Sequence, residues 1–242
     1  GEDLVPPQFG KVFISIKPRN GDFVPNLIKE NIKRDLKRYA VAGIVPEILD
    51  LKYLFIETNS KVYYNTNLAP SASFVSTKVQ RDLTTYAESS ELNKYGARFK
   101  YSRFLKVIDS SHESVTSNIT TVEMRRDLRL AVSEVAEYAI DFGNEFHVQS
   151  MNGFNIRSSA FRVLNINTDV YLYDVPDPTA EKGQISLFSL DEGSSTPVIQ
   201  RRNIGVIDYK KGRITLDPIN IVSGKSKDNV DILEISATPE SN

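Results

Sequence analysis

Residues 201–221, RRNIGVIDYKKGRITLDPINI, decide how the second half of this chain is read. From Ile204 to Leu216 the residues alternate apolar and polar, turn on Lys210-Lys211-Gly212, and alternate again. Alternation on both sides of a glycine-bearing turn predicts an antiparallel hairpin, with Gly212 supplying the positive φ that the turn requires. Val206 and Ile214 are expected to pack inward, while Asp208, Lys210 and Arg213 stay in water. The stretch holds no histidine, cysteine or glycine-rich phosphate loop, so its expected contribution is shape.

Outward from this hairpin, short β-type runs repeat at Tyr138–Phe142, Ile156–Leu164, Val170–Val175, Ile185–Leu190, Val198–Tyr209, Arg213–Leu216 and Val230–Ala237. Turn formers separate them: Asn152-Gly153, Pro176-Asp177-Pro178, Glu192-Gly193-Ser194-Ser195 and Ser223-Gly224. Residues 131–242 therefore read as a β-rich domain.

Residues 10–130 read differently. KVFISIK, Lys11–Lys17, alternates as a strand and stops at the turn cluster Pro18-Arg19-Asn20-Gly21. Pro25 suits a helix start, and Leu27, Ile28, Ile32, Leu36 and Tyr39 then recur at helical spacing until Gly43, which suits a C-terminal cap. Glu47–Thr58 and Lys61–Asn65 read as a hairpin turning on Asn59-Ser60. Ser76 reads as the N-cap of a second helix carrying Val79, Leu83, Tyr86 and Ala87, and Tyr101, Phe104, Leu105 and Ile108 mark a third helical segment. Alternation returns from Ser117. The order strand, helix, strand, strand, broken helix, strand predicts a ferredoxin-like split βαβ domain, so the fold class is α+β followed by a β-rich domain.

Composition narrows the function. The chain has 242 residues, 40% of them hydrophobic and 25% charged. No apolar run is long enough to span a bilayer. The first residues, GEDLVPPQFG, have neither an initiator Met nor a signal-peptide pattern, so both ends are expected to be cut ends of a longer protein. With no cysteine, disulfides and thiolate chemistry are excluded. The net charge of -1 hides an asymmetry: residues 1–133 carry 20 Lys and Arg against 15 Asp and Glu, and residues 134–242 carry 10 against 16. Such asymmetry suits either a nucleic-acid face or complementary assembly surfaces.

Catalytic constellations are scarce. His112 and His147 are the only histidines and lie far apart in sequence. Gly224-Lys225-Ser226 ends like a phosphate loop, but Ile219 stands where its first glycine belongs. Asn118-Ile119-Thr120 fits the glycosylation sequon in form alone. The acids Asp174 with Asp177, and Asp191 with Glu192, fall in turn-rich loops; they could serve acid/base or saccharide chemistry, but capping turns is their commoner use. The basic face Lys29, Lys33, Arg34, Lys37, Arg38, with Arg98, Lys100, Arg103 and Lys106 interleaved with Phe99 and Tyr101, offers a nucleic-acid alternative, interrupted by Glu30 and Asp35. No residue stands out as catalytic, cofactor-binding or metal-ligating.

Gly205-Val206-Ile207-Asp208-Tyr209 with Gly212, the strand ending Ser158-Ser159-Ala160-Phe161 before it, and VDILEISATPES after it together resemble the later part of the baseplate J-like family of contractile phage tails. Within that family the likeness is greatest to wedge proteins that join neighbouring wedges into a ring, and it extends over nearly the whole chain. The resemblance implies a structural subunit of the virion's tail baseplate, assembled in the bacterial host cytoplasm, that contacts other wedge proteins and rearranges when the tail is triggered. It carries no catalytic residue over. A homodimer is the simplest closed self-contact for such a subunit.

Two runs have apolar or aromatic side chains on both faces of a period-two pattern: Val170-Tyr171-Leu172-Tyr173 and Ile185–Leu190. One face of each packs on the core, and the other needs a cover. Tyr171, Tyr173, Phe188 and Leu190 are therefore the expected contact residues, against the alternative that they are ordinary sandwich core.

Overall fold

The computed structural model describes residues 10–18, 21–40, 43–191 and 193–240; Arg19 and Asn20 of the first turn, and Glu192, lie outside the described residues. The chain forms two compact units, Gly1–Phe55 with Arg125–Asn242, and Ile56–Met124. The compositional change near residue 130 and this division by contacts mark different points on the chain.

In the first unit, the alternation around Gly212 becomes β10 (Pro197–Asp208) and β11 (Arg213–Ser223), antiparallel neighbours. Gly212 has φ +60°, and a Cβ there would fall 1.8 Å from the Asn144 carbonyl oxygen. No other residue fits the turn. Val206 does not pack inward: it is 43% exposed, because the register pairs it with Thr215 and sets Ile207 opposite Ile214. Those two isoleucines are fully buried. β5 (Val135–Asp141), β8 (Tyr171–Pro176) and β9 (Lys182–Leu190) complete the sheet in the order β5-β11-β10-β9-β8, with the two-residue β7 (Arg162–Val163) beside β11. Ile185, Leu187, Ile207, Ile214, Leu216 and Ile221 fill its core. β13 (Val230–Ala237) is flanked by β12 (Lys225–Lys227) and β6 (Ile156–Ser158), and it buries Ile232, Leu233 and Ile235 completely.

The same unit holds β1 (Lys11–Ser15), α1 (Asn26–Lys37) and β2 (Val45–Leu49), a parallel strand pair joined through a helix. α1 stops at Arg38, short of the expected Gly43, and Tyr39 is 87% exposed. In the second unit, β3 (Phe55–Tyr64) lies beside β4 (Val115–Arg129), with α2 (Ala72–Glu88) and α3 (Tyr101–Asp109). Val75, Val79, Tyr86, Phe104 and Ile108 form its core; the helical spacing predicts Val79, Tyr86, Phe104 and Ile108, while Val75 lies before the expected cap and Tyr101 is 45% exposed.

The α+β class followed by a β-rich part holds. Its ferredoxin-like refinement does not, since that arrangement needs the first four strands in one sheet. Here β1 pairs with β2 alone, while β4 has β3 on one side and β13 on the other. β4 runs for 15 residues against 10 in β3, long enough to pair with β13 as well. Asn59-Ser60 makes no hairpin either. Both residues lie inside β3, where the Ser60 and Thr120 hydroxyls bond at 2.8 Å and favour an extended course over a turn. The N-cap of α2 is Ser71, five residues before the expected Ser76. Its hydroxyl accepts the Phe74 N–H at 3.2 Å, which satisfies one of the free donors of the first turn.

Candidate interaction surface

The register of β8 against β9 sets Tyr171 opposite Phe188 and Tyr173 opposite Ser186. Side chains alternate across a strand, so Tyr171, Tyr173 and Phe188 share one face while Leu172, Leu187 and Ile185 enter the core. On that face the Tyr171 and Phe188 rings stack with centroids 5.4 Å apart, and Tyr173 meets Phe188 edge-on at 5.8 Å. Leu190, 44% exposed, stands two residues further along β9, opposite Pro197 near the tip of the β9–β10 hairpin.

Three of the four expected contact residues thus meet, but they are unequally accessible. Tyr171 and Phe188 are half-buried, whereas Tyr173 is only 3% exposed. Its cover is Phe154, which the strand pattern does not reveal: that ring stacks on Tyr173 at 5.1 Å, meets Phe188 edge-on at 5.3 Å, and is itself 48% exposed. The turn formers Asn152-Gly153 just before it are the available signal. Ile199, opposite Phe188 on β10, continues the apolar surface.

Phe154 owes its position to a buried carboxylate. Asp174 is fully buried in β8. It accepts hydrogen bonds from the Asn155 and Ile156 N–H groups at 2.8 and 3.0 Å, from the Asn155 side-chain amide at 2.7 Å, and from the Tyr209 hydroxyl at 2.6 Å. Asn155 in turn bridges Ser150, donating to its carbonyl and accepting from its N–H, both at 2.8 Å. Gly153 passes so close that a Cβ would sit 2.0 Å from the Asp174 carbonyl oxygen, and Phe154 takes a left-handed φ of 63°. Only glycine allows the first of these approaches. Burial, reinforced by the hydrogen bond to Asp174, pushes the Tyr209 phenol well above its ordinary range, so it stays a donor. The result is a rigid loop presenting an aromatic ring.

The same contacts decide the chemical alternatives. With four donors on a fully buried Asp174, and Asp177 accepting from the Thr179 N–H and hydroxyl in a turn, these acids cap structure. The Thr179 hydroxyl holds the Asp177 carboxyl below its usual range. His112 bonds Ser114 at 2.8 Å and His147 bonds Glu240 at 2.7 Å. Among the described residues, no group of three or more His, Cys, Asp or Glu could hold a metal ion, and no helix is long and apolar enough to cross a membrane. Part of the basic face is tied up in ion pairs: Lys29 pairs with Asp50 at 2.6 Å, Lys33 with Glu47 at 2.9 Å, and Arg103 with Glu91 at 3.3 Å. Nothing in this geometry favours nucleic acid.

Compared with known proteins, residues 52–127 match the family model of baseplate structural protein gp6, C-terminal domain III, and residues 1–49 match that of C-terminal domain I. The domain III match follows the second compact unit closely. Over 172 residues, 69% of this chain, the sequence is 31% identical to baseplate wedge protein gp6 of Enterobacteria phage T4. The aligned stretch spans 26% of that protein's length. These matches are narrower than the baseplate J-like likeness noted from the residues, and by them the chain belongs to the gp6-like family of baseplate proteins.

Proposed function

We propose that this chain is a structural part of a contractile phage tail baseplate wedge, located in the virion, which makes ring contacts between wedges and rearranges when the tail is triggered. The observation that carries the proposal is the 31% identity to a baseplate wedge protein over 172 residues. The side-chain chemistry agrees with it, since the buried carboxylate and the histidines serve folding. Its partners are other baseplate wedge proteins and a second copy of itself, joined as a homodimer. Ring building needs broad interfaces whose arrangements differ by a few kcal/mol, and no active site.

The aromatic face of β8 and β9 is the self-contact in this reading. Tyr171, Phe188 and Leu190 present its accessible surface, Phe154 adds a fourth apolar anchor, and Tyr173 supports them from beneath. Aromatic anchors in a rigid frame lose little entropy on docking. The test is solution mass over a dilution series, by sedimentation or light scattering, for the wild-type chain and for Tyr171→Ser with Phe188→Ser. The expected outcome is a dimer whose dissociation constant rises at least tenfold in the double variant, with an unchanged circular dichroism spectrum. A wild-type monomer at every concentration defeats the self-contact, and a double variant that fails to fold assigns these rings to the core.

A further inference from the structure

We propose that the free edge of β10 over Pro197–Asn203 is a docking strand for an acidic, extended segment of a partner protein. β11 pairs with β10 only from Gly205 to Asp208, whereas β9 runs along its other side from Pro197 onward. Pro197–Asn203 therefore has one strand neighbour, and all seven residues are exposed. An edge of this kind offers backbone groups that another strand can complete. Val198 and Ile199, 44% and 43% exposed, add apolar contacts next to the aromatic face.

Charge identifies the occupant. Elsewhere in this unit four strand arginines are ion-paired, Arg125 with Asp127 at 2.9 Å, Arg129 with Asp50 at 2.8 Å, Arg162 with Asp169 at 2.8 Å, and Arg213 with Asp141 at 2.6 Å, and Arg126 donates to the Lys52 carbonyl. Among the described residues, Arg201 and Arg202 make no ion pair. A second copy does not supply what they lack. Two-fold antiparallel pairing of this edge with itself about Gln200 sets Arg201 opposite Ile199 and Arg202 opposite Val198, and brings four guanidiniums together without a carboxylate. Pairing with β9 is irregular at Ile199/Arg201 and Arg201/Gly205, and Asn203 has φ 54°. Such irregularity twists the edge away from flat apolar strands. An incoming strand must therefore bring Asp or Glu interleaved with β-branched residues. The arginines reject other strands and select this one.

This inference is independent of the self-contact through the aromatic face. Its test is selection of ten-residue peptides from an unbiased displayed library on the immobilised chain, followed by amide hydrogen exchange with the strongest peptide. The expected result is enrichment of peptides carrying at least two acids among Val, Ile and Thr, with exchange at Val198–Arg202 slowed several-fold on binding. Arg201→Glu with Arg202→Glu should weaken that peptide at least tenfold, and a peptide with Lys in place of its acids should bind the variant. Enrichment without acids, unchanged exchange at the edge, or no peptide sensitive to the charge reversal overturns the proposal. So does loss of self-association in the arginine variant, which assigns the edge to a second copy, whereas Tyr171→Ser with Phe188→Ser reports on the aromatic face alone.

Discussion

The β1–α1–β2 segment and the β8–β11 sheet sit in one compact unit but are held together by different forces. α1 buries no residue completely, and Val12, Leu27 and Ile28 are 47%, 73% and 47% exposed. Phe23 and Val24, just before α1, supply its main apolar burial, and ions hold the rest of this segment. Lys29 and Arg129 converge on Asp50, Lys33 reaches Glu47, and Lys227 bridges Asp22 and Asp127 while lying 4.7 Å from the Phe55 ring centre. The sheet instead buries Ile185, Leu187, Ile207, Ile214 and Leu216 completely. Each such side chain contributes about 1.5–3 kcal/mol, against roughly 0–1 kcal/mol for a solvent-exposed ion pair. The lesson concerns charge: lysines that in sequence form a basic stripe act here as fasteners for a segment with too little apolar burial of its own.

The same substitution in the two regions gives the largest test of this contrast. Asp174→Ala strands the buried Asn155 and Ile156 N–H groups and the Tyr209 hydroxyl. Each stranded donor costs about 1–3 kcal/mol before relaxation, so the expected loss is about 3–5 kcal/mol. Asp50→Ala should cost less, about 1–2 kcal/mol, since its cationic partners are only partly shielded and can turn toward water. Its partners are Lys29 and Arg129. Urea unfolding of both variants checks the pair, and equal losses would break the comparison. Tyr209→Phe sharpens it by removing one of the donors to Asp174. The expected cost is about 1–2 kcal/mol.

The second unit can be placed on the same scale. Its core is small, so local hydrogen bonds matter more. Ser71→Ala removes the cap from the Phe74 N–H. Loss of such a cap should cost about 1 kcal/mol. Thermal unfolding of that variant is the check; an unchanged midpoint would mean that packing of Val75 and Val79 alone fixes the start of α2.

How much of this is legible in the sequence varies with the range of the forces involved. Val230–Ala237 can be read to the residue from its run of β-type side chains between turn formers, although Ile232 and Leu233, on opposite faces, are both buried. At Val206 the pattern misplaces burial by one position, since the register of a pairing lies outside any single strand. Asn59-Ser60 looks like a turn locally, but the partner that keeps it extended, Thr120, is 60 residues from Ser60. Of the proposed contact surface, Tyr171, Phe188 and Leu190 are visible as apolar residues on the face of a strand opposite the core. Phe154 is not, because its exposure depends on Asp174, which lies 18 to 19 residues from the backbone groups it anchors.

Acid separates the two regions by the smallest effect. Burial opposes ionisation of Asp50, but hydrogen bonds from Lys29 and Arg129 outweigh it and hold the carboxyl below its ordinary range; Glu47 is likewise lowered by Lys33. A carboxyl whose pKa is lowered on folding binds its proton more readily when unfolded. Its contribution is therefore complete above the unfolded value, near 4, and is lost as pH falls through the lower folded value. Acid therefore removes the negative side of each pair, a loss of about 1 kcal/mol or less at Asp50. Amide exchange should consequently quicken in α1 and β2 below about pH 4, while the amides of Ile207 and Ile214, deep in an apolar core, keep their protection. If both sets loosen together, the two regions unfold as one cooperative body, and the ion pairs fasten the whole unit and not the β1–α1–β2 segment alone.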